Sequence, residues 1–432
     1  MEAVMGFCLL LVLMTIGVPI AFAFAGMTYF LTIMYDIEIS TLMTTGFWSI
    51  NSIILLALPL FIMAGYLMQR GGLANKLVDF VLAYVGHVRG GLGSSMVITS
   101  SIFGALSGTA TAAVASIGTL MIPPMETKGY PREYSTALVS ISSVIGLLIP
   151  PSITMILYAV VTRQSVAACF LSTVIPGILL MMLLVALNTY LAGKMPNIHT
   201  TKALPFVEGV KFKARATYKA APALFLPFII LGGIYGGVFT PTEAAAVALV
   251  YAVPVGFFIY KGLTLRGYAS AIVEAAATTG SVMLILLFSF VASRVLTMEG
   301  VPQDLAEWLL NTFQNKYGVL LAVNLLLIVL GMLIDDVSVT AILSPLLLPA
   351  MVEIGVHPVH FAAIVGTNVI IGANSPPVAF ILFVACRIGK VEMHDVVKHI
   401  VIFIVFAAVP VMLITTYVPA FALWLPKYLG YL

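Results

Sequence analysis

The chain has 432 residues, of which 61% are hydrophobic and only 9% charged, with a formal net charge of +3. Apolar runs follow one another from end to end, which excludes a soluble globular domain and a nucleic-acid-binding surface and reads as an all-α polytopic membrane protein. The small net charge decides little, because orientation depends on where Lys and Arg sit rather than on their sum.

In chain order, the first run starts with Glu2 where a secretory signal would carry basic residues and continues to about Tyr35, so no cleaved signal peptide is expected. Five crossings fit a first unit, 1–193, at about 2–18, 19–35, 50–69, 134–161 and 167–193. The polar stretch 194–220 is too short for a domain and reads as a cytoplasmic linker. Five more crossings fit a second unit, 221–432, at about 221–237, 241–260, 271–293, 359–386 and 397–425. Five is odd, so the second unit enters the membrane from the opposite side and the repeat is inverted. Helices 2–35 and 221–260 are expected to form a scaffold.

Each unit leaves one apolar segment that this topology cannot use as a crossing, about 93–122 and about 318–351. Their centres are small or polar: Ser107-Gly108-Thr109-Ala110-Thr111 and Asp335-Asp336-Val337-Ser338. A segment that enters and leaves on one face, with a polar tip at mid-depth, is a re-entrant hairpin, tolerated where protein or a watery cavity covers the tip. An amphipathic arm precedes each hairpin, at about 72–89 and 302–316. With the linker inside, 16 of the 20 Lys and Arg are cytoplasmic and only Arg163, Arg294, Lys316 and Lys427 are outside, which puts both termini on the outer side.

The two units share a motif at an offset of 226 residues. Gly146-Leu147-Leu148-Ile149-Pro150-Pro151 returns as Gly372-Ala373-Asn374-Ser375-Pro376-Pro377, with 11 identities over the 37 positions from 115 to 151. Proline has no amide hydrogen, so the carbonyls of Gly146 and Leu147, and of Gly372 and Ala373, lose their helical donors. Sodium, a hard cation taking backbone and hydroxyl oxygens, fits unwound helices of this kind, and such paired breaks point to a transporter's binding site. The alternative is a plain proline kink whose carbonyls are satisfied by Ser, Thr or water.

Asp335 and Asp336 fall near mid-membrane, where an acid costs about 3 kcal/mol or more unless paired or facing water. They act either in cation binding or as a helix cap. The matching positions of the first unit hold Thr109 and Ala110, so the two tips differ in charge. Glu243, after Thr240-Pro241, reads as a helix-start residue, Pro19 and Pro241 as matching corners, and Glu274 as structural. His357 and His360 lack a third ligand at zinc spacing. Arg163 either attracts an anion or is a solvated anchor. Cys8, Cys169 and Cys386 read as packing residues. No phosphate-binding GxxxxGK[ST] loop is present, so ATP-driven pumping is not assigned.

Three blocks resemble the large membrane subunit of tripartite ATP-independent periplasmic (TRAP) transporters: Gly108 to Ser152, Phe239-Thr240-Pro241-Thr242-Glu243-Ala244-Ala245-Ala246, and Pro349 to Pro377. The resemblance covers essentially the whole chain. It implies an ion-transporter-like elevator fold, not an enzyme, that takes up a small organic acid (dicarboxylate, keto acid, sugar acid or sialic acid) with Na+. It further implies a four-helix small membrane subunit, here a separate chain, and a periplasmic binding protein as partners in the bacterial inner membrane. Carried over by residue, one sodium site would use Ser107 and Thr109 with Gly146, Ile149 and Pro151. Its repeat-mate would use Gly372, Ser375 and Pro377 with Asp335. Thr154 would contact substrate, and the position of Asn374 in the second break adds it as a further substrate candidate. The rivals are a stand-alone sodium/dicarboxylate symporter and, from another class, an intramembrane enzyme or channel using the Asp pair.

Overall fold

The computed structural model describes residues 2–196, 198, 205–313, 315–376 and 378–432. Among them there are 21 α-helices and no β-strand. Eight helical stretches are long and apolar enough to cross a membrane, as expected of a polytopic protein.

The first unit opens with α1 (Glu2–Thr15), α2 (Ile20–Met34) and α3 (Ile39–Ile50), then a 3-10 turn (Ile53–Leu56) leading into α4 (Ala57–Arg70). The sequence reading had no helix over 39–49. Its composition is polar, but the hydroxyls of Thr44, Thr45 and Ser49 bond the carbonyls of Ser40, Thr41 and Thr45 at 2.9 Å, which hides them within the helix they form. Next come α5 (Leu73–Val85), α6 (Gly91–Ser107), α7 (Ala110–Thr127) and α8 (Arg132–Ser143). A 3-10 turn (Val144–Leu147), α9 (Ile153–Thr162) and α10 (Val166–Lys194) complete the unit.

The helix expected to start at about 221 starts earlier. Helix α11 runs Phe206–Tyr235, so the linker expected over 194–220 is helical in its second part; residues 197 and 199–204 lie outside the described residues. Lys211, Lys213, Arg215 and Lys219 are good helix formers whose charge hides the helix from hydropathy. Helices α12 (Pro241–Pro254), continued by a π-helical turn (Val255–Ile259), α13 (Leu265–Met298) and α14 (Val301–Phe313) follow. Then come α15 (Lys316–Leu333), α16 (Asp336–Glu353), α17 (Pro358–Asn374) and α18 (Phe380–Gly389). The last expected crossing, 397–425, is divided: α19 (Met393–Phe403), a π-helical turn and α20 (Val409–Tyr417) end at Val418, and α21 (Pro419–Tyr428) is separate. Pro419 accounts for the break, because the residue before a proline is pushed out of the helical region, and Val418 is at φ −117°, ψ 84°.

Two packing groups emerge. In one, α2 packs on α1 and α13, and α12 packs on α4 and α11, while α13 also lies along α3 and α4. A capping box starts α12: Glu243 N–H donates to Thr240 Oγ1 (3.2 Å) and Thr240 N–H donates to Glu243 Oε2 (2.8 Å). Glu274 is ion-paired with Arg70, tying α13 to α4. In the other group, α6 packs on α7 and α8, α15 packs on α17, and the units exchange partners: α9 lies on α16 and α18 lies on α7. Helix α5 contacts both α11 and α6, and α14 contacts both α13 and α16.

Candidate functional site

The two helix-turn-helix tips meet the two helix breaks in the interior. At the first tip, α6 ends on Ser107, Gly108 turns in the left-handed region (φ 66°), and Thr109 caps α7 by accepting from Ala112 N–H at 3.4 Å. Ser107 is buried, and its hydroxyl lies 3.4 Å from the Gly104 carbonyl and 3.2 Å from the Thr109 carbonyl. The tip backbone presses on Gly65 of α4, where a Cβ would come within 2.9 Å of the Ser107 carbonyl oxygen.

A glycine pair clamps each break to its tip. A Cβ on Gly146 would lie 2.3 Å from Gly104 Cα, and one on Gly372 would lie 2.6 Å from the Gly331 carbonyl carbon. Both obstacles are backbone, so neither yields to a side-chain rotation, and only glycine allows this approach. The breaks themselves differ. In the first, the Leu148 carbonyl accepts from Thr173 Oγ1 at 2.6 Å, and no side chain among the described residues donates to the carbonyls of Ile149 and Pro151. In the second, the Gly372 carbonyl accepts from Ser375 N–H at 3.0 Å, so it is not left free as proline geometry alone implied. Ser375 Oγ donates to the Ile371 carbonyl at 2.7 Å. Pro377 lies outside the described residues.

At the second tip, Asp335 caps α16: its carboxylate accepts from Ser338 N–H at 3.3 Å and from Ser338 Oγ at 2.5 Å. The cap and cation readings are therefore not exclusive, since a carboxylate has lone pairs beyond those two bonds. Asp336 accepts from Thr154 Oγ1 at 2.9 Å, joining the second tip to the helix after the first break across 182 residues of sequence. Neither aspartate has an ion-pair partner among the described residues. Asn374 is buried; its Oδ1 accepts from Ser140 Oγ at 2.6 Å and its Nδ2 donates to the Ile370 carbonyl at 3.1 Å. The Ser140 bond joins α8 to α17 and the Ile370 bond stays within α17, so both ends of the amide at this expected substrate position are engaged in the structure.

Several polar residues that frame the site were missed. Asn188 on α10 accepts from Tyr134 OH (3.0 Å) and donates to the Gly90 carbonyl (2.8 Å) and Ser94 Oγ (3.0 Å). In the other unit Asn368 Nδ2 donates to Asn324 Oδ1 at 2.8 Å, Asn324 pairs with Thr416, and His360 Nε2 lies 2.7 Å from the Thr415 carbonyl. The signal was there: an uncharged amide inside an apolar run must find a partner. His357 caps α17 through Val359 N–H (3.2 Å), and Arg163 is exposed at the end of α9 beside a surface cavity of about 390 Å³ shared with α16.

The donor set converging here is of oxygen alone: hydroxyls of Ser107 and Thr109, break carbonyls and the aspartates of the second tip. Hard cations such as sodium suit such oxygens, and softer metals prefer sulfur or imidazole.

The family model described as tripartite ATP-independent periplasmic transporter, DctM component, matches residues 7–421. The chain is 34% identical over 448 residues to the C4-dicarboxylate TRAP transporter large permease protein DctM of Rhodobacter capsulatus, covering 100% of both chains. It is 34% identical over 388 residues to the sialic acid TRAP transporter large permease protein SiaM of Vibrio cholerae, covering 88% of each. It is also 35% identical over 409 residues to the isethionate TRAP transporter permease protein DctMQ of Oleidesulfovibrio alaskensis, covering 94% of this chain and 64% of that one. Among solved structures, the Alcanivorax borkumensis YdaH transporter superposes with a TM-score of 0.63 at 16% identity, covering 89% of this chain and 88% of that one, a likeness of fold.

Proposed function

This chain belongs to the DctM component of the tripartite ATP-independent periplasmic transporters, and we propose that it takes up a small organic anion, coupled to sodium, by an elevator motion. The observation that carries the reading is the meeting of two helix-turn-helix tips with two glycine-clamped helix breaks at repeat-related positions. The relatives named for C4-dicarboxylates, sialic acid and isethionate support a small carboxylate or sulfonate as the cargo class.

In this mechanism one sodium ion is held by Ser107, Thr109 and carbonyls at Gly146, Ile149 and Pro151. A second is held by Asp335, Gly372, Ser375 and Pro377. Unpaired carboxylates at membrane depth are costly, and a bound cation offsets that cost at the second tip. The anion then binds near Thr154, between ions and helix N-termini. With Asp336 already on Thr154, an anion approaching that hydroxyl meets a carboxylate unless a cation neutralises it, which supplies the coupling: without sodium the carrier binds substrate poorly. The group holding α6 to α9 and α15 to α18 moves past the group holding α1 to α4 and α11 to α13, with α5 and α14 as arms. The chain lies in the bacterial inner membrane with both termini periplasmic. Its partners are a periplasmic binding protein and a four-helix small membrane subunit.

Radiolabelled organic-acid uptake into proteoliposomes holding this chain and its small partner tests the reading, with sodium gradient and binding protein each added or withheld. Uptake that needs both supports it. Uptake with sodium alone, by this chain alone, would show a stand-alone symporter instead, and uptake indifferent to sodium would remove the coupling.

A further inference from the structure

A cavity of about 800 Å³ opens between α5, α11 and the end of α12, apart from the tips and breaks. Its polar lining includes Lys76 of α5, Lys219 of α11 and Tyr260, and its apolar lining includes Phe225 and Ile259. Two facts place it at the edge of the hydrocarbon layer. Helix α12 with its π-helical turn runs Pro241–Ile259, about 28 Å at 1.5 Å per residue, close to a bilayer core of about 30 Å. Lys219 stands sixteen residues before Tyr235, the residue that ends α11 near the start of α12, so it rises about 24 Å along the same direction. Lys219 and Tyr260 thus share one membrane boundary, with Phe225 and Ile259 exposed on the bilayer side.

The polar groups are poised but unpaired. Neither lysine has an ion-pair partner among the described residues. Tyr260 OH accepts from Ala223 N–H at 3.1 Å, which leaves its own proton free to donate. Tyr251, by contrast, already donates to the Pro222 carbonyl at 2.9 Å. Beyond the cavity α11 adds Lys211, Lys213 and Arg215; the acids nearest in sequence, Asp79 and Glu208, do not line it. Two ammonium groups and a hydroxyl donor above an apolar wall match one chemistry, a phosphate ester carrying acyl chains.

We propose that this cavity binds an anionic membrane phospholipid, its phosphate held by Lys76, Lys219 and Tyr260 and an acyl chain lying along Phe225 and Ile259. The bound lipid would fix α5 against α11, and α5 also packs on α6. The inference stands apart from the transported substrate.

Native mass spectrometry of the purified full chain tests it, with phosphatidylglycerol or phosphatidylcholine added in turn and inorganic phosphate in a third arm. Phosphatidylglycerol is expected to be retained about fivefold over phosphatidylcholine. Lys76→Ala with Lys219→Ala should lower that retention about threefold or more, Lys76→Arg with Lys219→Arg should restore it, and Tyr260→Phe should lower it about twofold. Equal retention of the two lipids, retention unchanged in the double alanine variant, or equal protection by inorganic phosphate alone would overturn the proposal. So would loss of the small membrane subunit from the double alanine variant, co-purified with that subunit in a further arm, with lipid retention intact, which would make this cavity a subunit contact.

Discussion

The two tips have nearly the same backbone and opposite chemistry. Helices α7 and α16 both have 18 residues and start 226 positions apart, and each is capped by the residue before it, Thr109 in one and Asp335 in the other. A glycine clamp occurs in both units, Gly104 with Gly146 and Gly331 with Gly372, although Gly331 stands one position past the 226-residue offset from Gly104. Around that shared frame the supports diverge. Tyr134 bonds Asn188 in the first unit, where His360 meets the Thr415 carbonyl in the second, and the stretch broken between α3 and α4 corresponds to the single 34-residue α13. The comparison teaches that backbone proximity is common to both half-sites, while charge belongs to one. A hydroxyl cap costs little to bury once bonded, but a carboxylate at that depth calls for a cation or water.

If charge separates the tips, Asp335→Asn should lower sodium-dependent uptake about tenfold or more, equivalent to ~1.4 kcal/mol, with membrane insertion intact. Thr109→Val should act more weakly. A kinetic assay in proteoliposomes with both variants measures the difference. If the frame is shared, Gly146→Ala and Gly372→Ala should instead behave alike. Each drives a Cβ into backbone, so each should cost about 1–3 kcal/mol of stability, read from thermal unfolding in detergent, and one tolerated alanine would break the equivalence.

The supports sharpen the comparison further. Asn188→Ala leaves the buried Tyr134 hydroxyl without its partner and takes one bond each from the Gly90 carbonyl and Ser94 Oγ, which keep Ser94 N–H and Thr189 Oγ1, and should destabilise by about 1–3 kcal/mol. Thr154→Val and Asp336→Asn, combined in a double-mutant cycle, should show a coupling of about 0.5–1.5 kcal/mol in stability if their 2.9 Å bond joins the units. The smallest effect belongs to Arg70→Ala: its pair with Glu274 has side chains 38% and 42% exposed, and exposed pairs are worth about 0–1 kcal/mol.

Much of this frame is legible in the chain because hydrophobicity and proline chemistry act locally. The apolar runs gave the helices of both units, and the repeated proline pairs marked where they stop. What escaped depends on partners far apart or on polarity satisfied inside a helix. Nothing local pairs Thr154 with Asp336, Ser140 with Asn374, or Gly104 with Gly146. Thr44, Thr45 and Ser49 disguised α3 by bonding their own turn, and the lysines of α11 made a helix look like a linker. The carbonyl of Gly372 was expected free from proline geometry, yet Ser375 N–H reaches it, because a helix end recruits whichever donor the next turn offers.

The central claim, that each tip and its break hold a sodium ion by different chemistry, is tested most directly by radioactive sodium binding to the purified chain. Wild type, Ser107→Ala, Asp335→Asn and the double variant should be compared in scintillation proximity format. Saturable binding lowered in each single variant and abolished in the double is the result expected; undiminished binding in the double variant would contradict the account.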